Sequence, residues 1–241
     1  MKQILFNTDM VRAILDGRKN VTRRVVKPGY RADECGFQIV TRRDGTFVNV
    51  EITDENEFPT RVLKPPCDVD DILYVRETWG VFENLWSGMD TVTYKANYVT
   101  GKDLSIKWRP SIHMPKEAAR IFLRVTAVHV ERLQNMTVDD CLNEGASADP
   151  PPICQREISY PNSFPKGFDR MTKEKQDDWI ATTARARHIG WLDYADKLFR
   201  AMSLIWDSTI KPADLDRYGW SANPWVWVIE FERISKEEAM K

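Results

Sequence analysis

The run Gly17–Arg24 constrains the fold most, because it marks a change from helix to strand and gathers four cations at that point. Asn7 or Thr8 can cap a helix with an apolar stripe, and Gly17 stands where a left-handed residue would end that helix. The β-branched residues that follow and favour an extended segment are Val21, Val25 and Val26. The sequence therefore predicts a helix, a glycine stop and a positively charged strand.

Thr22 and Arg24 are two residues apart on this predicted strand, so a hydroxyl and a guanidinium share one of its faces. A plainer interpretation explains part of the cluster, since Arg18 and Lys19 can complement the dipole at the helix end while the strand cations are solvated. That interpretation leaves the pairing of Thr22 with Arg24 unexplained. The two residues therefore remain candidates for a polar site.

The same run resembles the GxKxxExR signature of the ASCH superfamily, whose members are small barrels related to the PUA RNA-binding fold. Thr22 stands where that signature has Glu. The run is also similar to a Gly-Arg-Lys-Thr-Ile-Thr-Ile-Arg segment of bacterial ASCH enzymes that deacetylate N4-acetylcytidine and have Thr at this place. The resemblance implies that Lys19 and Thr22 are catalytic and that Arg24 contacts the substrate.

In those enzymes a third catalytic residue, a Glu, follows a short Leu-Thr-Glu helix, and residues 136–144 can be laid beside that segment without a gap. The resemblance therefore implies that Glu144 is the third catalytic residue. Thr137 with Asp140 predicts a capped helix start and Gly145 a helix stop, which places Glu144 in the last turn. A carboxylate there is disfavoured by about 0.3–1 kcal/mol, although an exposed, screened glutamate would tolerate this cost.

Further blocks resemble longer phage and prophage members of the superfamily. Residues 70–79 are similar to a GDxLxVRETW block, with Asp70 in place of the Gly, and three more blocks follow in the expected order, at 108–115, 119–130 and 223–231. Together these blocks span about two thirds of the chain. The resemblance implies an α+β fold in which a PUA-like β-barrel carries peripheral helices and long insertions.

A local basic cleft is compatible with the net charge of −1, which argues only against a uniformly basic surface. Tryptophan side chains such as Trp79 and Trp108 can stack on a base, although most tryptophans belong to cores. His113 is either a substrate contact or a hydrogen-bonded loop histidine. The predicted substrate-binding residues are Arg23, Arg24, Arg76, Trp79, Arg109 and His113, and Arg42, Arg43 and Lys116 are further cations that can line the cleft.

We predict a single domain over residues 1–241, with a Pro-rich loop and a helical insertion at about 147–210. The loop extends from Ser147 to about Gly167, and two helices follow at about 173–186 and 192–206, separated near Gly190. Earlier in the chain, alternating segments on either side of Asp44-Gly45 predict a β-hairpin.

Several other classes of protein do not fit the sequence. The four cysteines lack CxxC spacing and the three histidines are scattered, so we expect reduced thiols, no metal and no cofactor. There is neither a Gly-rich phosphate loop nor a GxSxG elbow. No apolar run is long enough for a bilayer or a signal peptide, so we expect a cytoplasmic protein that does not bind membranes, with its oligomeric state left open.

The favoured hypothesis is amide hydrolysis of an N-acylated cytidine-type nucleobase or nucleoside through Lys19, Thr22 and Glu144. Two alternatives use the same basic cleft. One is a non-catalytic RNA-binding module in which the cations touch phosphate, and the other is a metal-independent ribonuclease.

Overall fold

The computed structural model describes residues 1–27, 37–41, 47–52, 57–83, 90–98, 106–147 and 172–241. The chain divides into two compact units, one formed by residues 1–145 with 212–241 and the other by residues 146–211. The second unit nearly coincides with the predicted insertion at 147–210. The predicted Pro-rich loop, apart from Ser147, and the Asp44-Gly45 turn lie outside the described residues.

The described strands all lie in the first unit. They are β1 (Lys2–Leu5), β2 (Val21–Val25), β3 (Phe37–Thr41), β4 (Phe47–Ile52), β5 (Glu57–Leu63), β6 (Ile72–Arg76), β7 (Trp79–Glu83), β8 (Asp90–Tyr94), β9 (Phe122–Arg132) and β10 (Trp225–Ile234). The described α-helices are α1 (Thr8–Leu15), α2 (Val138–Asn143), α3 (Lys173–Thr209), α4 (Leu215–Tyr218) and α5 (Lys236–Ala239). The fold contains both α-helices and β-strands, which confirms the α+β class.

The main sheet has five strands in the order β1-β6-β9-β10-β2, with β1 parallel to β6 and the other pairs antiparallel. Strands β1 and β2 are its edges, and in a flat sheet four strand spacings would separate them by roughly 19 Å. Yet Arg24 on β2 donates a hydrogen bond from Nη2 to the Leu5 carbonyl on β1, at 3.0 Å. The sheet is therefore strongly curved, and within the described residues it remains open between its two edges.

Two smaller sheets complete the described strands, β3-β4-β5 and β7-β8. The predicted hairpin is confirmed, because β3 and β4 pair antiparallel from Phe37↔Glu51 to Thr41↔Phe47. Strand β8 ends at Tyr94 and gives way to a 3₁₀ turn. Strands β1, β5 and β7 were not predicted.

The main core lies between the curved sheet and α1. Alternating residues of β6, Leu73 and Val75, point to the same side as Leu123 and Val125 of β9, as the two-residue period of strands requires. Helix α1 adds its apolar stripe to this cluster, which also contains Ile4, Phe6, Val11, Ile14, Ile229 and Phe231. The ends of β1, α1 and β2 are thereby fixed around one core.

The described residues of the second unit form one helix over the range where the sequence predicted two. Helix α3 continues through Gly190, whose cost in a helix is only about 1 kcal/mol relative to Ala and does not end the segment. In the second half of α3, Leu198, Met202 and Trp206 are buried, whereas Leu192 is exposed. Although α3 has 37 residues, neither it nor any other helix in the described ranges is apolar enough over sufficient length to cross a bilayer.

Candidate active site

The end of α1 directs Lys19 into the protein. Gly17 adopts a left-handed conformation with φ 73°, as predicted, and its N–H donates to the Ile14 carbonyl at 3.1 Å. The Arg18 N–H donates to the Ala13 carbonyl at 2.9 Å, and these two bonds form a Schellman motif. After this turn Arg18 is exposed and pairs with Asp16, whereas Lys19 is only 3% exposed.

A second helix end brings Glu144 to the same place. Thr137 and Asp140 form the predicted capping box of α2, and Glu144 is the C-cap residue, followed by Gly145 with φ 91°. The Asn20 N–H donates to the Asn143 carbonyl at 3.0 Å, which ties the start of β2 to the end of α2. This backbone contact fixes Glu144 beside Lys19.

Lys19 and Glu144 form a buried ion pair, with 2.5 Å between Lys19 Nζ and Glu144 Oε2. Nζ also donates to the Glu144 carbonyl at 2.9 Å and to the Val21 carbonyl at 2.6 Å. Three acceptors match the three N–H groups of an ammonium, so the described geometry is that of protonated Lys19. Glu144 is 3% exposed, and the pair is therefore shielded from water.

Arg23 lies on the other side of Glu144 and contacts three carboxylates. Its Nη1 is 3.4 Å from Glu144 Oε1, and its Nη2 is 2.8 Å from Glu131 Oε1 and 3.2 Å from Asp140 Oδ1. Its Nε donates to Glu131 Oε1 at 2.9 Å. The side chain is 2% exposed, so its guanidinium is occupied by acids within the protein.

Thr22 and Arg24 are neighbours of this pair on β2. Thr22 is 1% exposed, and the carbonyl that accepts from Lys19 Nζ belongs to the peptide unit directly before it. Arg24 donates to backbone carbonyls of Arg23 and Leu5 and lies 5.3 Å from the centre of the Phe6 ring. Lys19 Nζ is 5.5 Å from the same ring, so Phe6 provides a shared aromatic face for both cations.

Burial dominates the electrostatics of this cluster. It lowers the pKa of Lys19, against the opposing charge and hydrogen bond of Glu144, and Arg24 and Arg23 lower that pKa further. Burial also lowers the pKa of Arg24, while Glu144 acts in the opposite direction. For Arg23, the effect of burial is outweighed by the carboxylates of Glu144, Glu131 and Asp140, which raise its pKa. A depressed Lys19 pKa makes its proton easier to transfer.

Chemically, the cluster combines a proton donor–acceptor pair, a hydroxyl and a guanidinium. The short Lys19–Glu144 contact allows a proton to move from ammonium to carboxylate, because burial favours two neutral groups over two ions. Thr22 supplies a buried hydroxyl on the residue after Val21, whose carbonyl accepts from Lys19 Nζ, and Arg24 supplies a positive charge. This set of groups can carry out acyl transfer or bind an anion.

The other predicted substrate-binding residues form a second group. Arg76 donates from Nη1 to Gln3 Oε1 at 2.6 Å and from Nη2 to the Ile112 carbonyl. Trp79 is buried, and the exposed Arg109 lies over its ring, 5.0 Å from the centre. His113 is exposed in a 3₁₀ turn next to Ile112.

Both groups adjoin the end of β1, where the side chain of Arg76 in the second group and that of Phe6 beside the first group lie on different faces of the sheet. The Phe6 N–H donates to the Arg76 carbonyl at 3.2 Å, while Val75, on the opposite face of β6 from the Arg76 side chain, packs into the core with Phe6. The structure thus brings Lys19, Thr22, Arg23, Arg24 and Glu144 together and places Arg76, Trp79, Arg109 and His113 separately. Arg42 and Arg43 lie outside the described residues.

Sequence reasoning missed Phe6 and Glu131 as neighbours of the site. Phe6 extends the alternation of β1, a pattern that indicates burial but gives no sign of two cations over its ring. Glu131 is 108 residues from Arg23 in the chain, and only the registers of β9, β10 and β2 bring them together. No local pattern in the sequence could have signalled that contact.

Comparison of the chain with protein-family models, with curated proteins and with solved structures gave no match. In the part of the chain that the structure describes, no three His, Cys, Asp or Glu side chains are grouped so as to hold a metal ion. The assignment of a function therefore rests on the residues themselves.

Proposed function

We propose that this chain is an ASCH-like amidohydrolase that cleaves the amide of an N-acylated cytidine-type substrate with Lys19, Thr22 and Glu144 as its catalytic residues. The observation that carries this proposal is the 2.5 Å contact between Lys19 Nζ and Glu144 Oε2. These residues are 125 positions apart, and the sequence resemblance selected them independently of any structure. Thr22, the third residue so selected, is also buried, and it follows Val21, whose carbonyl accepts from Lys19 Nζ.

Two features of the fold support the ASCH-like, PUA-like part of this proposal. The five-stranded sheet curves until Arg24 on one edge bonds to Leu5 on the other, which is the curvature a small barrel requires. Asp70, which stands where the phage-type block has Gly, has φ 67°, a conformation that favours glycine. A glycine at this position, as in the phage-type block, would adopt this backbone conformation readily, which supports the proposal.

In the proposed mechanism the ion pair first becomes neutral. The Lys19 ammonium passes a proton to the Glu144 carboxylate, and burial favours this transfer. The Lys19 amine then accepts the hydroxyl proton of Thr22 while Thr22 Oγ1 forms a bond to the acyl carbon. Arg24 stabilises the negative charge that develops on the acyl oxygen.

The remaining steps return each proton to its origin. The Glu144 carboxylic acid donates its proton to the exocyclic nitrogen as the C–N bond breaks, which releases the free amine. Water then attacks the Thr22 ester and gives a proton to Glu144, while the Lys19 ammonium returns a proton to Thr22 Oγ1. The Glu144 carboxylic acid finally passes its proton back to the Lys19 amine, which restores the ion pair. The products are the nucleobase amine and a carboxylic acid, and no metal or cofactor takes part.

The test is hydrolysis of N4-acetylcytidine by the purified protein, followed by chromatographic measurement of cytidine and acetate. We expect turnover by the wild type and a loss of at least about a hundredfold in Lys19→Met, Thr22→Val and Glu144→Gln variants. Circular dichroism and thermal unfolding check that each variant folds.

Matched controls carry the same substitutions at exposed positions, namely Lys236→Met, Thr126→Val and Glu232→Gln. These should keep wild-type turnover. A folded Thr22→Val protein with full activity would remove Thr22 from the mechanism, and a wild type that releases no cytidine would contradict the proposed activity as a whole.

A second candidate function, RNA binding, is favoured by the exposed Arg109 over Trp79 with Arg76 close by. Phosphate contacts predict that log affinity for single-stranded RNA falls against log salt by about 0.7 per contact. A flat salt response would contradict this function. Cleavage of the RNA in the presence of a chelator would instead indicate the metal-independent ribonuclease.

We also propose a reducing compartment, such as the cytoplasm, for this protein. Cys67 and Cys141 are free, and both are buried without a disulfide. Free thiols of this kind are typical of proteins kept reduced.

A further inference from the structure

The contacts of Arg23 in the cluster are not those that a substrate-binding residue would require. Its side chain is 2% exposed, and its Nε and Nη2 are directed at Glu131 and Asp140, two acids from different elements. Only Nη1 reaches Glu144, at 3.4 Å from Oε1. The guanidinium therefore faces protein carboxylates on every side that the structure describes.

The two oxygens of Glu144 are held by different cations. Oε2 accepts from Lys19 at 2.5 Å, and Oε1 faces Arg23. Arg23 is on β2 and is anchored to Glu131 on β9 and Asp140 on α2. It therefore fixes the plane of the Glu144 carboxylate relative to β2, β9 and α2. In the amidohydrolase segment that the run Gly17–Arg24 resembles, this position is Ile, so the Arg23 contacts are a feature of this chain beyond the resemblance.

We propose that Arg23 is a positioning residue that orients Glu144 through Oε1 and, balanced by Glu131 and Asp140, sets the pH at which Lys19 gives up its proton. The effect of Arg23 on turnover rests on the proposed function, whereas its effect on the protonation of Lys19 does not. Arg23 acts through Glu144 and touches no reacting atom.

The sign of the effect follows from the charges around the pair. Lys19, Arg23 and Arg24 face Glu144 from the turn before β2 and from β2 itself, and the Cys141 thiol faces it from α2. Two further acids face Arg23, namely Asp140 on α2 and Glu131 on β9. Removing the positive charge of Arg23 favours the protonated form of Lys19, so the pKa of Lys19 rises. Removing the negative charge of Glu131 lowers that pKa.

The experiment is an NMR titration of the Lys19 side chain in the full-length protein, with the resonance assigned from Lys19→Met. We expect the pKa of Lys19 to rise by about one unit in Arg23→Met, to stay near the wild-type value in Arg23→Lys and to fall in Glu131→Gln. Arg124→Met is the matched control, because Arg124 also forms ion pairs from a strand, with Glu232 and Glu238, but is more exposed. It should leave the titration unchanged.

A kinetic measurement with N4-acetylcytidine separates positioning from substrate binding. A positioning role predicts that kcat of Arg23→Met falls on the order of tenfold with KM nearly constant, and that Arg23→Lys restores part of it. An increase in KM at constant kcat would overturn the proposal in favour of a substrate contact. Unshifted titrations in both Arg23→Met and Glu131→Gln would also overturn it.

These readouts distinguish the two proposals. If the wild type releases no cytidine, the amidohydrolase proposal fails, and the Lys19 titration alone decides the role of Arg23. If Arg23→Met does not fold, the other two variants still give different predictions for the titration, an unchanged pKa of Lys19 in Arg23→Lys and a lower one in Glu131→Gln.

Discussion

The guanidinium of Arg24 on β2 donates a hydrogen bond to the Leu5 carbonyl on β1, which joins the two edge strands of the five-stranded sheet. The same guanidinium lies over Phe6, whose ring also faces Lys19. One side chain thus links the curvature of the sheet to the candidate active site. Any change to Arg24 should therefore affect both stability and the site.

For Arg24→Met we expect the free energy of unfolding to fall by about 1–2 kcal/mol, because a charged hydrogen bond and a cation–π contact are lost. Urea unfolding followed by tryptophan fluorescence measures this. Arg233→Met, at an exposed position of β10, is the matched control and should change stability by less than about 0.5 kcal/mol. Equal effects at both positions would show that the link between the edge strands contributes nothing specific.

The buried Lys19–Glu144 pair should show strong coupling in a double-mutant cycle. Lys19→Met or Glu144→Gln alone leaves one buried group without its partner and should lower the free energy of unfolding by about 3–5 kcal/mol. The double variant leaves neither charge and should cost clearly less than the two single changes added together. Chemical denaturation of the four proteins gives the coupling energy. If the losses of the two single variants simply added up in the double variant, the proposed coupling between Lys19 and Glu144 would be contradicted.

Cys67 and Cys141 should be unreactive in the native protein. Burial raises the pKa of the Cys67 thiol to about 11 and that of Cys141 to about 12, so almost no thiolate exists at neutral pH. Alkylation with iodoacetamide at pH 7.5, followed by peptide mass spectrometry, should label both residues only after denaturation. Rapid labelling of either residue in the native protein would contradict its buried environment.

The local features of the site could be predicted from sequence because short-range physics determines them. The Asn7 cap, the Gly17 stop and the Thr137–Asp140 capping box involve residues at most a few positions apart, and the structure has all of them. Where a pattern was ambiguous, the prediction was wrong: Gly190 suggested a break, but a single glycine costs too little to end a long helix.

The long-range features could not be predicted in the same way. The Lys19–Glu144 contact was anticipated only because a resemblance named both residues, and nothing in either segment specifies their distance. The contacts of Arg23 with Glu131 depend on the pairing of β9, β10 and β2, which a hydrophobic pattern leaves undetermined. The curvature that brings Leu5 to Arg24 also arises from the assembled sheet.

Asp70 should tolerate glycine better than a β-branched residue. Its φ of 67° is in the left-handed region, so Asp70→Val should lower the free energy of unfolding by about 1–2 kcal/mol. Asp70→Gly relieves the backbone but adds chain entropy to the unfolded state, and should be within about 0.5 kcal/mol of the wild type. Asp68, an exposed neighbour, is the control, because at this position we expect Gly to be tolerated no better than Val. A greater loss of stability in Asp70→Gly than in Asp70→Val would contradict the left-handed conformation of Asp70.

The glycines that end the two site helices should differ in their response to alanine. Both have positive φ, 73° at Gly17 and 91° at Gly145, so each substitution costs about 1–2 kcal/mol in backbone strain. At Gly17 an added Cβ meets nothing within 4 Å, whereas at Gly145 it would lie 2.8 Å from the Ala13 Cβ and 3.5 Å from the Lys19 Cβ. Gly145→Ala should therefore cost at least about 1 kcal/mol more than Gly17→Ala and also displace Lys19. Thermal unfolding and cytidine release measure the two effects, and equal losses in both variants would show that Gly145 is needed only for its backbone conformation.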